Sequence, residues 1–286
     1  MRRLDSIRDI AGDFDAIVFD QWGVLHNGST AYPGAIAAVE SLAREGVRLA
    51  VLSNSGKRSA PNRKRIASMG FPAEAFATVM TSGEALWLDL ATGRFPGIQR
   101  LFAITAAPGD AQAWSEGLVG ISITTEIAGA DAILLMGLPD EPAGDDALHP
   151  ILVTARKNGL PMFCSNPDKA SPRQGGRLLR SPGALAEAYA QAGGQVFLYG
   201  KPHRAVFDGL QRALGISDPA RILMIGDSLE HDVAGAAAVG WKTLFIEGGL
   251  HAADLAGGTD FDRAIADLCL RHDCGRPDFL MEHVAP

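Results

Sequence analysis

The sequence predicts an α/β protein with mostly parallel sheets, in which a second α/β segment interrupts the first. Three observations carry that expectation. Short β-branched and apolar runs alternate with amphipathic stretches, the rhythm of βα units. Polar and acidic clusters stand immediately after the apolar runs, at the ends where open α/β sheets gather their ligand sites. Gly and Pro crowd two joints, at Gly93, Pro96 and Gly97 and again at Pro172, Gly175, Gly176, Pro182 and Gly183, as inter-domain connections require.

Taken in order, residues 15–20 (DAIVFD) and 47–53 (VRLAVLS) read as buried strands. Between them, residues 33–45 form a helix opened by Pro33 and stopped by Gly46,. A second helix covers 60–69. Strands follow at 101–105, 132–136, 162–165, 195–199, 222–226 and 243–246. Helices are expected at 110–116, 149–157, 205–214, 232–239 and 261–270. The resulting division is a discontinuous core of residues 1–82 plus 187–286, with residues 83–186 as the insert.

Composition narrows the function classes. The 286 residues are 47% hydrophobic and 21% charged, which is globular and not disordered. With 26 basic and 33 acidic residues the net charge is -7, so no nucleic-acid footprint is expected. No apolar run reaches membrane-helix length. No apolar stretch follows Met1-Arg2-Arg3, so no signal peptide is expected, and the cytoplasm is the expected location. Three cysteines, Cys164, Cys269 and Cys274, make no disulfide framework. Cys269, His272 and Cys274 offer too few ligands for a metal site and read as ordinary helix residues. Trp87, Trp114 and Trp241 read as packing.

Chemistry concentrates at four strand ends. Phe19-Asp20-Gln21-Trp22-Gly23-Val24 places a carboxylate in the crevice, ionised at neutral pH and able to attack phosphorus; a strand-end aspartate without chemistry is the plainer reading. Met224-Ile225-Gly226-Asp227, with Asp232 beyond, supplies hard oxygens of the kind Mg²⁺ takes, or else a charged first turn of a helix. Ser53-Asn54-Ser55 offers a hydroxyl and successive N–H groups to a phosphate oxygen. Lys201 can neutralise both the nucleophile and a transferring phosphoryl group. Each alone is weak, but four such ends in this order are not.

These motifs resemble those of the haloacid dehalogenase (HAD) superfamily. Their separation is similar to class IIA, the NagD-like and pyridoxal-phosphatase-like proteins, in which a large α/β cap interrupts a Rossmann-like core. The resemblance implies a C2-type cap and an Asp20 nucleophile. It implies Mg²⁺ held by Asp20, the Trp22 carbonyl oxygen and Asp227, with Asp232 supporting the metal. Ser53, Asn54 and Lys201 would bind phosphate. Asn166, Pro167 and Asp168, in a loop after a cap strand, would influence substrate choice, and His203 would line the cavity. Implied partners are small phosphorylated molecules such as sugar phosphates, and an exposed apolar side on the last helix or the cap would suit a homodimer.

One position departs from that pattern. The family's phosphatases carry a second aspartate two residues after the nucleophile, where this chain has Trp22. An indole donates a hydrogen bond but shuttles no proton. His26 is one substitute for the missing acid, although a loop histidine is commonly just solvated. Three readings follow: a slow Mg²⁺-dependent phosphatase working through an aspartyl-phosphate, a phospho-ligand-binding or regulatory protein without turnover, and a hydrolase of carbon–halogen or carbon–phosphorus bonds. Arg173, Arg177 and Arg180 are a basic face or an anion-binding group.

Overall fold

A computed structural model describes residues 1–139, 143–172, 178–256 and 261–286. The chain forms two compact units, one of residues 1–53, 60–80 and 201–286 and the other of residues 54–59 and 81–200.

The first unit carries a seven-stranded sheet in the order Arg2–Arg3, Phe279–Met281, Lys242–Ile246, Ile222–Gly226, Ala16–Phe19, Leu49–Ser53 and Phe76–Thr81. Ala16–Phe19 pairs in parallel with both Ile222–Gly226 and Leu49–Ser53. Every residue of those three strands is buried, which explains why they read as unbroken apolar runs and not as alternating ones. Alternate side chains still separate by face. Ile17, Phe19, Leu49, Val51, Leu223, Ile225, Leu244 and Ile246 share one core with Val39 and Leu42 of the helix Ala35–Arg44 and with Ile66. Phe245 instead joins Leu229, Val233, Ile265 and Leu268 in a separate cluster that includes the helix Phe261–Arg271.

The second unit has a five-stranded sheet in the order Val196–Leu198, Met162–Cys164, Ala132–Leu135, Arg100–Ile104 and Ser122–Thr124, paired in parallel throughout. A two-stranded antiparallel ribbon, Ala170–Pro172 with Leu178–Arg180, belongs to the same unit. The helix Ser82–Ala91 opens on Thr81, whose hydroxyl accepts the Glu84 N–H at 2.9 Å.

Two expectations need correction. The boundary at residue 187 falls too early, because Val196–Leu198 pairs with Met162–Cys164 and so belongs to the second unit's sheet. The helix expected over 232–239 is a wide π-type turn, Leu229–Ala234, followed by one α-helical turn, Gly235–Ala238. Such turns are common at functional sites. Trp114 and Trp241 pack as expected, with their indole N–H groups donating to Gly83 O and Gln211 Oε1. Trp87 lies under the Arg58 guanidinium at 3.8 Å. Arg173 and Arg177 lie outside the described residues, and Arg180 is exposed.

Ile17 is fully buried at the centre of the first sheet, whereas Val119 is 96% exposed. Ile17→Ala should lower unfolding stability by about 2–5 kcal/mol in urea titration. Val119→Ala should change it by less than about 0.5 kcal/mol.

Candidate active site

The parallel register brings three strand ends level. Phe19 lies opposite both Val51 and Ile225, so the chain leaves the sheet on one edge at Asp20, at Ser53 and at Asp227. The Asp20 N–H makes the last ladder bond, to Ile225 O at 2.9 Å. The chain then turns sharply through Gly23, whose φ of +78° favours glycine,. A Cβ at Gly23 would overlap the Asp227 carboxylate. Gly226 gives the same room to Asp232, and Gly249 to Asp227. The inner wall around these acids is therefore main chain.

Lys201 organises the charges. Its ammonium, only 3% exposed, lies 2.7 Å from Asp20 Oδ1 and 2.7 Å from Asp232 Oδ1. The second oxygen of Asp232 accepts the Ser228 N–H at 3.1 Å, and the Ser228 hydroxyl in turn accepts the His231 N–H. Asp227 Oδ2 accepts the Leu250 N–H at 2.8 Å. Gly249 and Leu250 are not among the residues the sequence pattern singles out. A signal for them exists, since Gly248-Gly249 follows the apolar run that ends at Ile246.

Oxygens of Asp20, Asp227 and Asp232 come within 4.8 Å of one another. Three carboxylates facing one ammonium leave negative charge in excess. Burial pushes the Asp20 carboxyl up to about 6, against the pull of Lys201. Burial, reinforced by the charge of Asp20, pushes Asp227 up to about 8. Lys201 is held above its usual value because its two carboxylate neighbours outweigh the cost of burying it. A cluster of hard oxygens with an excess of negative charge suits a divalent cation, which reverses such upward shifts.

Trp22 is 48% exposed. Its indole sits against Gly28, edge-on to the His26 ring at 5.9 Å, with the Arg65 guanidinium 5.4 Å from its centroid. His26, the candidate substitute acid, is fully buried, which removes the alternative of a solvated loop histidine. Burial pulls its pKa down to about 4. Its Nδ1 accepts the Gly28 N–H at 3.0 Å, and Nε2 faces Gln21 Oε1 at 3.4 Å. Both ring nitrogens are thus occupied in the neutral form, and the ring braces the turn in which Trp22 stands.

The remaining expected residues divide between the units. Ser53 is buried at a strand end of the first unit. Within the second, Asn54 Nδ2 donates to Asp168 Oδ1 at 2.8 Å, and the Asp168 N–H donates to Asn166 Oδ1 at 3.1 Å. Pro167 packs against Gly183 and Gly200, neither of which has room for a Cβ. His203 is half-buried at the start of the helix Arg204–Leu214. Cys269 and Cys274 are free thiols; Cys269 lies in the helix Phe261–Arg271, and Cys274 lies beyond its end rather than on a helix as expected.

Comparison with known proteins agrees with this geometry. Residues 17–115 match a family described as haloacid dehalogenase-like hydrolase, and residues 198–269 match one described as HAD-hydrolase-like. Human glycerol-3-phosphate phosphatase is 27% identical over 300 residues, spanning 96% of this chain and 90% of that protein. Human chronophin is 29% identical over 264 residues, spanning 84% and 83%. A crystal structure from Brucella suis 1330, titled a hydrolase of the haloacid dehalogenase-like family, superposes with a TM-score of 0.79 at 32% identity. It covers 99% of this chain and 100% of its own.

The raised carboxyls carry a pH signature. In chelator, folded Asp20 and Asp227 keep protons up to about 6 and about 8, whereas an unfolded aspartate loses its proton near about 3.9. Their contribution to stability is therefore complete below that value and is lost as pH rises through about 6 and then about 8. Asp227→Asn should flatten the fall of Tm with pH between about 4 and 8. An unchanged slope in that variant contradicts the assignment.

Proposed function

The chain belongs to the haloacid dehalogenase-like hydrolases, and from that premise we propose that it is of their NagD-like class IIA branch and is a Mg²⁺-dependent phosphatase of small phosphomonoesters acting through an aspartyl-phosphate on Asp20. The observation that carries the reading is the Asp20–Lys201–Asp232 bridge, with Asp227 beside it, at the carboxyl edge of a parallel sheet. Glycerol-3-phosphate phosphatase among the relatives makes a polyol or sugar phosphate one natural candidate.

Mg²⁺ would be held by Asp20, the Trp22 carbonyl oxygen and Asp227, with Asp232 supporting them, and when bound it neutralises phosphoryl charge. The residues divide the rest of the work. Asp20 attacks phosphorus with one carboxylate oxygen as the ester oxygen departs. Lys201 stays protonated and offsets the charge spread over the phosphoryl oxygens. Ser53, and in this reading Asn54, orient the phosphate. Water then attacks the aspartyl-phosphate, returning free Asp20 and inorganic phosphate. Asn166, Pro167 and Asp168 are proposed to influence which ester is accepted.

The weak point is the proton. The departing alkoxide needs one and the attacking water must lose one. Trp22 can do neither, and neutral His26 has both nitrogens engaged. A positioned acid–base is worth about 10²–10⁴-fold, so turnover should be slow but real, since nucleophile, cation site and Lys201 remain. Trp22 equally favours a protein that binds a phosphorylated ligand without hydrolysing it.

Phosphate release from a panel of phosphomonoesters and acyl phosphates separates these readings. We expect release that EDTA abolishes, that Asp20→Asn eliminates, and that Trp22→Asp raises by about 10²-fold or more. A folded protein that binds inorganic phosphate yet releases none, as wild type and as Trp22→Asp, is a binding protein. Halide release from a haloacid that persists in chelator, with no phosphate release from the panel, would favour carbon–halogen chemistry.

A further inference from the structure

We infer that the Trp22 indole is a specificity-determining platform on which a planar leaving group stacks, and that the preferred substrates are phosphate esters whose leaving group is an aromatic or heteroaromatic ring. The inference rests on the phosphatase reading and replaces the polyol or sugar phosphate suggested by one relative with an aryl ester as the preferred substrate.

A large aromatic side chain in a site loop is ordinarily buried, and this one is 48% exposed. It is nevertheless held in place. Gly28, at a φ of +97°, leaves the space a Cβ would fill, and the indole carbons Cζ2 and Cζ3 would lie 2.6 and 2.7 Å from that Cβ. Arg65 sets its guanidinium on the ring and anchors itself by donating from Nη2 to Gly28 O at 3.0 Å. His26 meets the indole edge-on at 70°, and the Gly28 N–H fixes the His26 ring in turn. The indole is thus held by Gly28 and His26 of its own loop and by Arg65 of the helix Ser59–Ser68, while 48% of the residue stays exposed. A surface already ordered before binding loses little entropy when a ligand covers it.

The position suits a leaving group. Trp22 is two residues beyond Asp20, so their Cα atoms are no more than roughly 7.6 Å apart, a span comparable to a phosphoryl group joined to a ring. The chemistry agrees. With no proton donor at residue 22, the ester oxygen must depart as an anion. A phenol, with a pKa of about 10 like that of tyrosine, does so far more readily than an aliphatic alcohol, whose acidity is closer to that of water at about 15.7. The same side chain that removes the acid therefore supplies a surface for the leaving groups that do not need one.

Calorimetric titration with phenylphosphonate and cyclohexylphosphonate, in Mg²⁺, isolates stacking from leaving-group chemistry, because neither is hydrolysed and only one ring is planar. Wild type should bind the phenyl compound about two- to tenfold more tightly, the range of an aromatic pair. Trp22→Leu should bring the ratio to about one, and Trp22→Phe should keep a preference. Equal affinities in wild type, or a preference that survives Trp22→Leu in a protein of unchanged melting behaviour, overturn the platform. Failure of both phosphonates to bind while inorganic phosphate still binds overturns it too. Failure of inorganic phosphate itself removes the phosphatase reading, and the platform with it.

Discussion

The ammonium of Lys201, buried between two carboxylates at 2.7 Å each, is the contact on which the rest of the site depends. Three acids crowded at one sheet edge repel one another, and without a buried cation they would have to protonate or move apart. A buried ion pair is a poor stability device, because desolvation consumes most of the Coulomb gain. It is a good positioning device, because removing one partner strands the others. Here it fixes one oxygen of Asp20 and one of Asp232, while the Ser228 N–H orients the second oxygen of Asp232 and the Leu250 N–H orients Asp227. A carboxylate held in that way would enter the proposed attack with little reorganisation left to do.

Around that fixed centre, the turn from Gln21 to Gly28 offers no side chain that titrates near neutral pH, since burial pulls His26 down to about 4. His26 contributes as a buried neutral brace, and Trp22 contributes surface. Under the proposed reading the backbone of this loop would serve a cation, while the Trp22 side chain supplies no proton. Binding and proton transfer would then be separable, one resting on the carbonyl oxygen of residue 22 and the other on its side chain.

Much of this is legible in the amino-acid sequence, for physical reasons specific to each residue. Asp20, Ser53 and Asp227 announce themselves because each ends an apolar run of strand length, and a parallel sheet puts all such ends on one edge. Asp232 and Lys201 can be nominated, but their contact through a single ammonium is a tertiary fact with no local trace. Val196–Leu198 reads as a strand of the wrong sheet, because an apolar triplet does not say which neighbour it will pair with. His26 stays open between a substitute acid and a solvated residue, because burial depends on what packs over a loop. Leu250 acts through its N–H, which no side-chain pattern encodes. Phe76–Thr81 and the helix after it fall outside the predicted elements, although Thr81-Ser82-Gly83-Glu84 spells a capping box.

Three glycines, Gly23, Gly226 and Gly249, line the acids with bare backbone. A wall of that kind cannot be recontoured one residue at a time, since any side chain added there displaces Asp227 or Asp232. Natural variation in what such an enzyme accepts is consequently channelled to side chains outside that backbone wall. Residue 22 is one of these, and a tryptophan there is the sort of novelty such an interior permits.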